Sequence, residues 1–369
     1  MRESLAPLAA RGDRPLAPGA GQFPGQDERG WCTAILEAVA ATETTTLADE
    51  YATLTERCGI VERSERGKLA LSGSGAVEFL NGQVTNELIG LKAGEGCYAA
   101  FLTHKGKMLG DLRILAVGEG VEGQPSELLL DTERCALQAL FDMIRRFKVG
   151  YDVELHKRTL ERSLLSLIGP GADALATKAF ALDEAQLPGG EHSHLLARLG
   201  QTPVRLIRAY SGIDALFEAE ALEAVRDALE AAGAVQVSEA AAEIVRVEHG
   251  RPRYGIDLDD STIPQEADLN ERAVSFTKGC YVGQETVARL YYRGKPNRHL
   301  RGLRLSEATE PGAPLTLGEK SVGRVGSSVL SPGFGPIGLA LVRREAEPGA
   351  TLSVGEQGAV AVVTELPFG

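Results

Sequence analysis

No Cys-x-x-Cys pair occurs in this chain, and its five cysteines, Cys32, Cys58, Cys97, Cys135 and Cys280, are odd in number and widely spaced. That pattern excludes a disulfide scaffold, a zinc ribbon and the usual cysteine set for an iron–sulfur cluster of its own, so no metal site is expected and the thiols read as reduced, in a cytoplasmic setting. Aromatic residues are only 5% of the chain, and tryptophan occurs once, at Trp31. No apolar run approaches the ~20 residues of a membrane span, so no membrane partner is expected. Cations are in the minority: 39 Lys and Arg against 51 Asp and Glu leave a net charge of −12. An acidic chain repels a phosphate backbone, which argues against broad nucleic-acid binding. Glycine pairs are many, yet none has the strand, glycine-rich turn and helix context of a phosphate loop.

What is present is an ordinary globular composition, 43% hydrophobic and 24% charged over 369 residues, enough for two or three domains. Pro15, Pro18, Gly19, Gly21, Pro24 and Gly25 break all periodicity, so residues 1–45 read as a flexible tail with no apolar core for a secretory signal. Lys68 to Ser72 reads as a strand, and Ser74 as the cap of a helix carrying Val77 and Leu80. Ala99 to Val117 predicts a hairpin turning at Lys105-Gly106. In its second strand Asp111 shares a face with Leu109, Arg113 and Leu115, so its carboxylate either pairs with Arg113 or is presented to a ligand. Helical spacing runs from Thr132 to Phe147, a half-buried strand follows at Val149 to Leu155, and another helix runs from about Glu220 to Ala232 with Gly233 as its stop. Ser238 suits the cap of the next helix. His192 and His194 could share a strand face as metal ligands do, but read more simply as two histidines on a solvated loop. Half-polar strands alternating with helices indicate an α+β fold of antiparallel sheets, and after Arg301 the short apolar runs between glycine turns indicate a small β-barrel.

One passage carries chemistry: Lys278-Gly279-Cys280-Tyr281-Val282-Gly283-Gln284-Glu285. A helix starting near Val282 or Gly283 would put Cys280 just ahead of its N-terminus, where free N–H groups and the helix dipole favour an anion. Lys278 adds positive charge nearby, and such surroundings activate a thiol as nucleophile or metal ligand. The alternative is a small packed residue in a glycine turn.

The same passage resembles the signature of YgfZ-type proteins and their mitochondrial iron–sulfur maturation counterparts, relatives of the glycine-cleavage T-protein. The resemblance extends over roughly residues 46–369 and includes Phe79 to Asn86, His104 to Leu112 and Val247 to Gly255. It implies a three-domain cloverleaf around a central folate hole: residues 46–297 as a folate-binding region of two interleaved α+β subdomains, and 298–369 as a C-terminal β-barrel. It also implies tetrahydrofolate as the cofactor, with Asp111 facing its reactive nitrogens and Arg113, Asp214, Arg251 and Tyr254 as further contacts. Cys280 and Lys278 become the chemical pair, framed by Gly279, Tyr281, Gly283, Gln284 and Glu285. T-proteins hold the pterin with a glutamate in a Tyr-Thr-Gly-Glu segment, whereas this chain has Tyr210-Ser211-Gly212-Ile213-Asp214. The implied role is a monomeric folate-binding factor whose partners are iron–sulfur client or assembly proteins. Alternatives are a tetrahydrofolate-dependent aminomethyltransferase, or an RNA-modification module using the basic run from Arg289 to Arg304.

Overall fold

The half-polar alternation is realised as two sheets and a closed barrel in a computed structural model that describes residues 47–120, 123, 125–356 and 358–369. The tail expected over residues 1–45, with Trp31 and Cys32, lies outside these. Helix α1 (residues 47–56) comes first. One sheet contains β2 (Gly67–Ser72), β3 (Gly96–Leu102), β4 (Met108–Glu119), β5 (Pro125–Thr132) and β6 (Glu154–Lys157), in the order β3-β4-β5-β2-β6 and antiparallel throughout. Its apolar face is covered by α2 (Ala76–Asn81) and α3 (Leu137–Phe147), which bury Phe79, Leu80, Leu140 and Ile144 against Leu69, Leu71, Leu112 and Ile114. Each such side chain contributes about 2 kcal/mol by leaving water.

The other sheet contains β1 (Gly59–Glu62), β7 (Arg162–Ile168), β8 (His194–Leu199), β9 (Thr202–Ala209), β10 (Gly212–Glu218) and β11 (Val235–Gln236), in the order β11-β1-β7-β10-β9-β8. Only the short β1–β11 contact is parallel. Helices α4 (Ala172–Phe180) and α5 (Leu222–Ala232) cover it through Leu175, Phe180, Val225 and Leu229. Between the two sheets, Leu115, Leu164, Ile207 and Leu216 form a dry seam. Helix α6 (Glu239–Glu248) is capped by Ser238, whose hydroxyl accepts from the Ala241 N–H, as the sequence predicts. Two helices follow, α7 (Asn270–Ala273) and α8 (Gln284–Arg293).

The chain ends in the closed barrel β12-β15-β14-β13-β16-β17, formed by β12 (Arg298–Leu305), β13 (Pro314–Leu317), β14 (Lys320–Ser331), β15 (Gly335–Arg343), β16 (Thr351–Val354) and β17 (Ala359–Thr364). A shared core of Val247, Leu258, Ala273, Val287, Leu300 and Leu339 joins the late helices to the barrel. There the Arg246 guanidinium reaches Asp257 at 2.9 Å and also bonds Ser327 of β14.

Three local expectations fail for identifiable reasons. Ser74 does not cap α2, because its hydroxyl donates to Asp152 at 2.7 Å. Residues Thr132 to Ala136 are not helical: Thr132 completes β5, and its hydroxyl donates to the Asp111 carbonyl. Val149 to Val153 is a turn, with Gly150 at φ +93 and Val149 83% exposed, and the Lys148 ammonium closes it onto the Val153 carbonyl at 2.8 Å.

The two motif glycines near α8 differ in what they tolerate. Gly283, the N-cap, has φ +85, and an added Cβ would lie 2.6 Å from the Thr103 carbonyl at the tip of the β3–β4 hairpin. Gly279 has nothing within 4 Å of that position. Gly283→Ala should therefore lower unfolding free energy by more than the ~1 kcal/mol of left-handed backbone alone. Gly279→Ala should stay within about 0.5 kcal/mol in the same urea titration.

Candidate functional site

Strand alternation on β4 does bring Asp111 and Arg113 to one face, but they do not pair with each other. Arg113 is 8% exposed and spans two carboxylates: Nη2 donates to Asp131 of β5 at 2.7 Å and Nη1 to Asp214 of β10 at 2.6 Å. Asp131 also accepts from Arg66 Nε at 2.8 Å, and the other arm of Arg66 meets Glu133. Asp214 takes a further bond from the Ser166 hydroxyl at 2.6 Å. The result is an alternating ladder, Glu133–Arg66–Asp131–Arg113–Asp214–Ser166, that crosses from one sheet to the other. Burial alone would raise the Asp131 carboxyl, but Arg66 and Arg113 hold it below the usual carboxylate range.

In the Tyr210-Ser211-Gly212-Ile213-Asp214 segment, Ile213 is fully buried in the core under α4 and α5. Its neighbour Asp214 points to the opposite side of β10, because adjacent strand residues alternate faces. Asp214 is thus on the cavity side, yet its two oxygens are occupied by Arg113 and Ser166.

Asp111 stands apart from the ladder. Burial pushes its carboxyl up to about 6; the Tyr98 hydroxyl beside it pulls the other way, Glu133 adds to the rise, and Arg66 and Arg272 oppose it. Near pH 6 such a group can give or accept a hydrogen bond.

Asp111, Arg113, Asp214, Arg251 and Tyr254 all line one cavity, of about 1000 Å3 with the solvent at its mouth included. The structure adds residues that no sequence pattern marked. Arg272 lies over the Tyr98 ring at 5.1 Å and Arg251 over the Tyr210 ring at 4.8 Å, and both guanidinium groups approach the single carboxylate of Glu191, at 3.2 and 3.5 Å. His192 sits on a turn, but its side chain is mostly withdrawn from solvent. It adopts φ +72, stacks on Tyr98 with centroids 6.1 Å apart, and is held neutral, its pKa lowered to about 4 by burial and then by Arg113. His194 turns elsewhere, 5% exposed and 3.0 Å from Arg205. Only Tyr98 had a usable signal, since the hairpin register sets it directly opposite Arg113. Glu191 and His192 arrive from the turn before β8, and Arg272 from α7.

The Lys278 to Glu285 motif is a separate place, absent from the cavity wall. Lys278 is buried, and its ammonium donates to the carbonyls of Asn81, Val84 and Asn86 at 2.7, 3.0 and 2.5 Å, so its charge is not spent on the thiol. Burial lowers its pKa to about 8. Tyr281 is buried with its ring 5.4 Å from that ammonium, and burial raises its hydroxyl to about 12. Cys280 is exposed, as are Gly279 and Glu285, while the Gln284 side chain folds back to the Gly279 carbonyl at 3.4 Å.

Comparison with known proteins places this geometry. Residues 21–278 match the GCVT N-terminal domain, and residues 299–368 match the CAF17 C-terminal beta-barrel domain. The chain is 29% identical over 332 residues to an aminomethyltransferase of Rubrobacter xylanophilus, covering 86% of this chain and 85% of the relative. It is 28% identical over 316 residues to a chloroplastic protein of Arabidopsis thaliana named as a transferase, covering 84% and 71%. The solved glycine cleavage system aminomethyltransferase T from Bartonella henselae superposes with a TM-score of 0.77 over 88% of this chain and 89% of that one, at 23% identity. The fold is therefore T-protein-like.

Removing the Arg113 guanidinium would leave Asp131 and Asp214 buried and under-paired. Arg113→Met should cost about 3–5 kcal/mol in chemical denaturation. Breaking the half-exposed Arg158–Glu161 pair by Arg158→Met should change stability by less than about 1 kcal/mol.

Proposed function

Since the chain belongs to the YgfZ/CAF17 family, in which a GCVT-type domain precedes a CAF17 barrel, we propose that it is a folate-binding factor supporting the assembly or repair of iron–sulfur proteins, with Cys280 as its working thiol. The observation that carries the folate reading is Asp111: a buried carboxyl outside the ion ladder, raised to about 6, on the wall of a cavity that Tyr98, Tyr254, Arg251 and Arg272 also line. The donors present fit tetrahydrofolate. Asp111 can exchange a hydrogen bond with a ring nitrogen, and Tyr98, Tyr210 and Tyr254 give the wall aromatic surface beside a flat heterocycle. Among the described residues Arg251 and Arg272 share one carboxylate, Glu191, which leaves N–H groups for the carboxylates of a glutamyl tail. When bound, the reduced pterin supplies a one-carbon carrier or an electron-rich ring. The chain's part is to orient it and to hold a proton at Asp111.

An aminomethyltransferase is the second reading, favoured by the Rubrobacter relative and by Asp111. Against it, the Tyr210-Ser211-Gly212-Ile213-Asp214 segment departs from the Tyr-Thr-Gly-Glu pattern, and Asp214, its cavity-side carboxylate, is engaged by Arg113 and Ser166. Rate depends on groups that fix the reacting atoms, so looser pterin positioning suits binding better than transfer. The RNA reading loses half of its basic run, since Arg298 pairs with Glu266, Arg301 with Glu365, and Arg304 lies over Phe334, while Arg289, Arg293 and Lys295 stay exposed. An exposed Cys280 is accessible to a client protein, which supports a role at an interface.

Calorimetry should show saturable binding of tetrahydrofolate that weakens at least about tenfold, or ~1.4 kcal/mol, in Asp111→Asn. Equal affinity in the variant, or no binding at high micromolar folate, removes the folate assignment. In a deletion strain, Cys280→Ala should abolish support of iron–sulfur enzyme activities while folate affinity stays within a few-fold. Brisk glycine-dependent methylene transfer by the wild type, unaffected by Cys280→Ala, would restore the transferase reading.

A further inference from the structure

The buried half of the motif makes contacts that a reactive thiol does not require. All three protons of the Lys278 ammonium are directed at carbonyls of one short segment, those of Asn81, Val84 and Asn86. That segment is sewn in on its other side as well. The Thr85 hydroxyl donates to the Ala273 carbonyl at 2.6 Å and accepts from the Ala100 N–H at 2.8 Å, and the Ser275 N–H reaches the Thr85 carbonyl at 3.0 Å. Its last residue, Asn86, uses the two protons of its amide on two different elements: the Tyr98 carbonyl at 2.9 Å and the Arg272 carbonyl at 3.3 Å. Tyr98 and Arg272 both line the cavity, with the Arg272 guanidinium over the Tyr98 ring, and both bear on Asp111.

We propose that Lys278 is a positioning residue for the cavity: by gathering the Asn81, Val84 and Asn86 carbonyls it holds Asn86, and through Asn86 the backbones of Tyr98 and Arg272, so that the motif shapes the cavity at Asp111 from outside. The proposal rests on the folate reading for its consequence in binding, but its physical content is independent of any ligand. The segment Phe79 to Asn86 and the segment Lys278 to Glu285 are then two sides of one clasp, and Lys278 is separated in function from Cys280.

The chain of contacts makes a specific demand on Asp111. Tyr98 and Arg272 both favour its ionised form. Slackening either one should raise the midpoint at which the Asp111 carboxyl titrates, a shift that loss of stability elsewhere does not produce. The test is carbonyl NMR of the full chain, with the Asp111 signal assigned by its disappearance in Asp111→Asn. Lys278→Met and Asn86→Ala should each move the Asp111 midpoint upward, and Cys280→Ser should leave it in place. The double variant Lys278→Met/Asn86→Ala should shift it no further than the larger single, because both act on one path. In calorimetry, tetrahydrofolate affinity should fall about threefold to tenfold in Lys278→Met and in Asn86→Ala. An unmoved or lowered midpoint in both single variants overturns the proposal and leaves Lys278 as a residue of stability alone. Asn86→Ala keeps the test open if Lys278→Met does not fold. If the midpoints move as expected while the wild type binds no folate, the positioning role stands and the folate reading falls.

Discussion

Arg113 lies where two sheets meet and holds one carboxylate from each, Asp131 from β5 and Asp214 from β10. Burying a single guanidinium there would cost several kcal/mol, and burying either carboxylate alone would cost as much. Alternation makes the arrangement tolerable: each charge in the ladder from Glu133 to Asp214 has an opposite neighbour, and Ser166 satisfies the free oxygen at the end. The apolar seam of Leu115, Leu164, Ile207 and Leu216 brings the sheets together. The ladder gives that contact a fixed register, because hydrogen bonds to a planar guanidinium tolerate little sliding.

The same ladder determines which cavity groups are free. By engaging both oxygens of Asp214 and both arms of Arg113, it leaves these two cavity-lining residues fewer free positions for a ligand than the sequence suggests. Asp111 is left without a guanidinium of its own, and burial raises its carboxyl to about 6. Arg251 and Arg272, sharing Glu191, are left under-neutralised on an otherwise acidic chain. A cavity with a protonatable acid, tyrosine faces and spare arginine donors is suited to a flat, donor-rich heterocycle carrying carboxylates. That match is the physical basis of the folate proposal, and it holds without the T-protein glutamate.

Much of this architecture was legible because it depends on local periodicity. The hairpin at Lys105-Gly106, the shared face of Asp111 and Arg113, the Ser238 cap and the terminal barrel all follow from spacing within a few residues. What could not be read are pairings across the chain. Arg113 finds Asp214 at a separation of 101 residues, and Lys278 finds the Asn81 carbonyl at 197. The charge of Lys278 looked useful to Cys280 because the two are neighbours in sequence. Burial directs the side chain inward instead, to unpaired carbonyls, where three hydrogen bonds offset the desolvation of an ammonium. The position of His192 between Gly190 and Leu195 suggests a solvated side chain for a similar reason, whereas the fold brings its ring against Tyr98.

The account turns on whether folate occupies the cavity bounded by the Arg113 ladder. Hydrogen–deuterium exchange of the full chain, with and without saturating tetrahydrofolate, tests that directly because it reports the place of binding as well as its existence. The account predicts slowed exchange in the segments carrying Tyr98 to Arg113, Glu191 to His192, Arg251 to Tyr254 and Arg272, with α8 and the barrel strands unchanged. Protection confined to α8 or to the barrel, with those cavity segments exchanging as in the free protein, would contradict it.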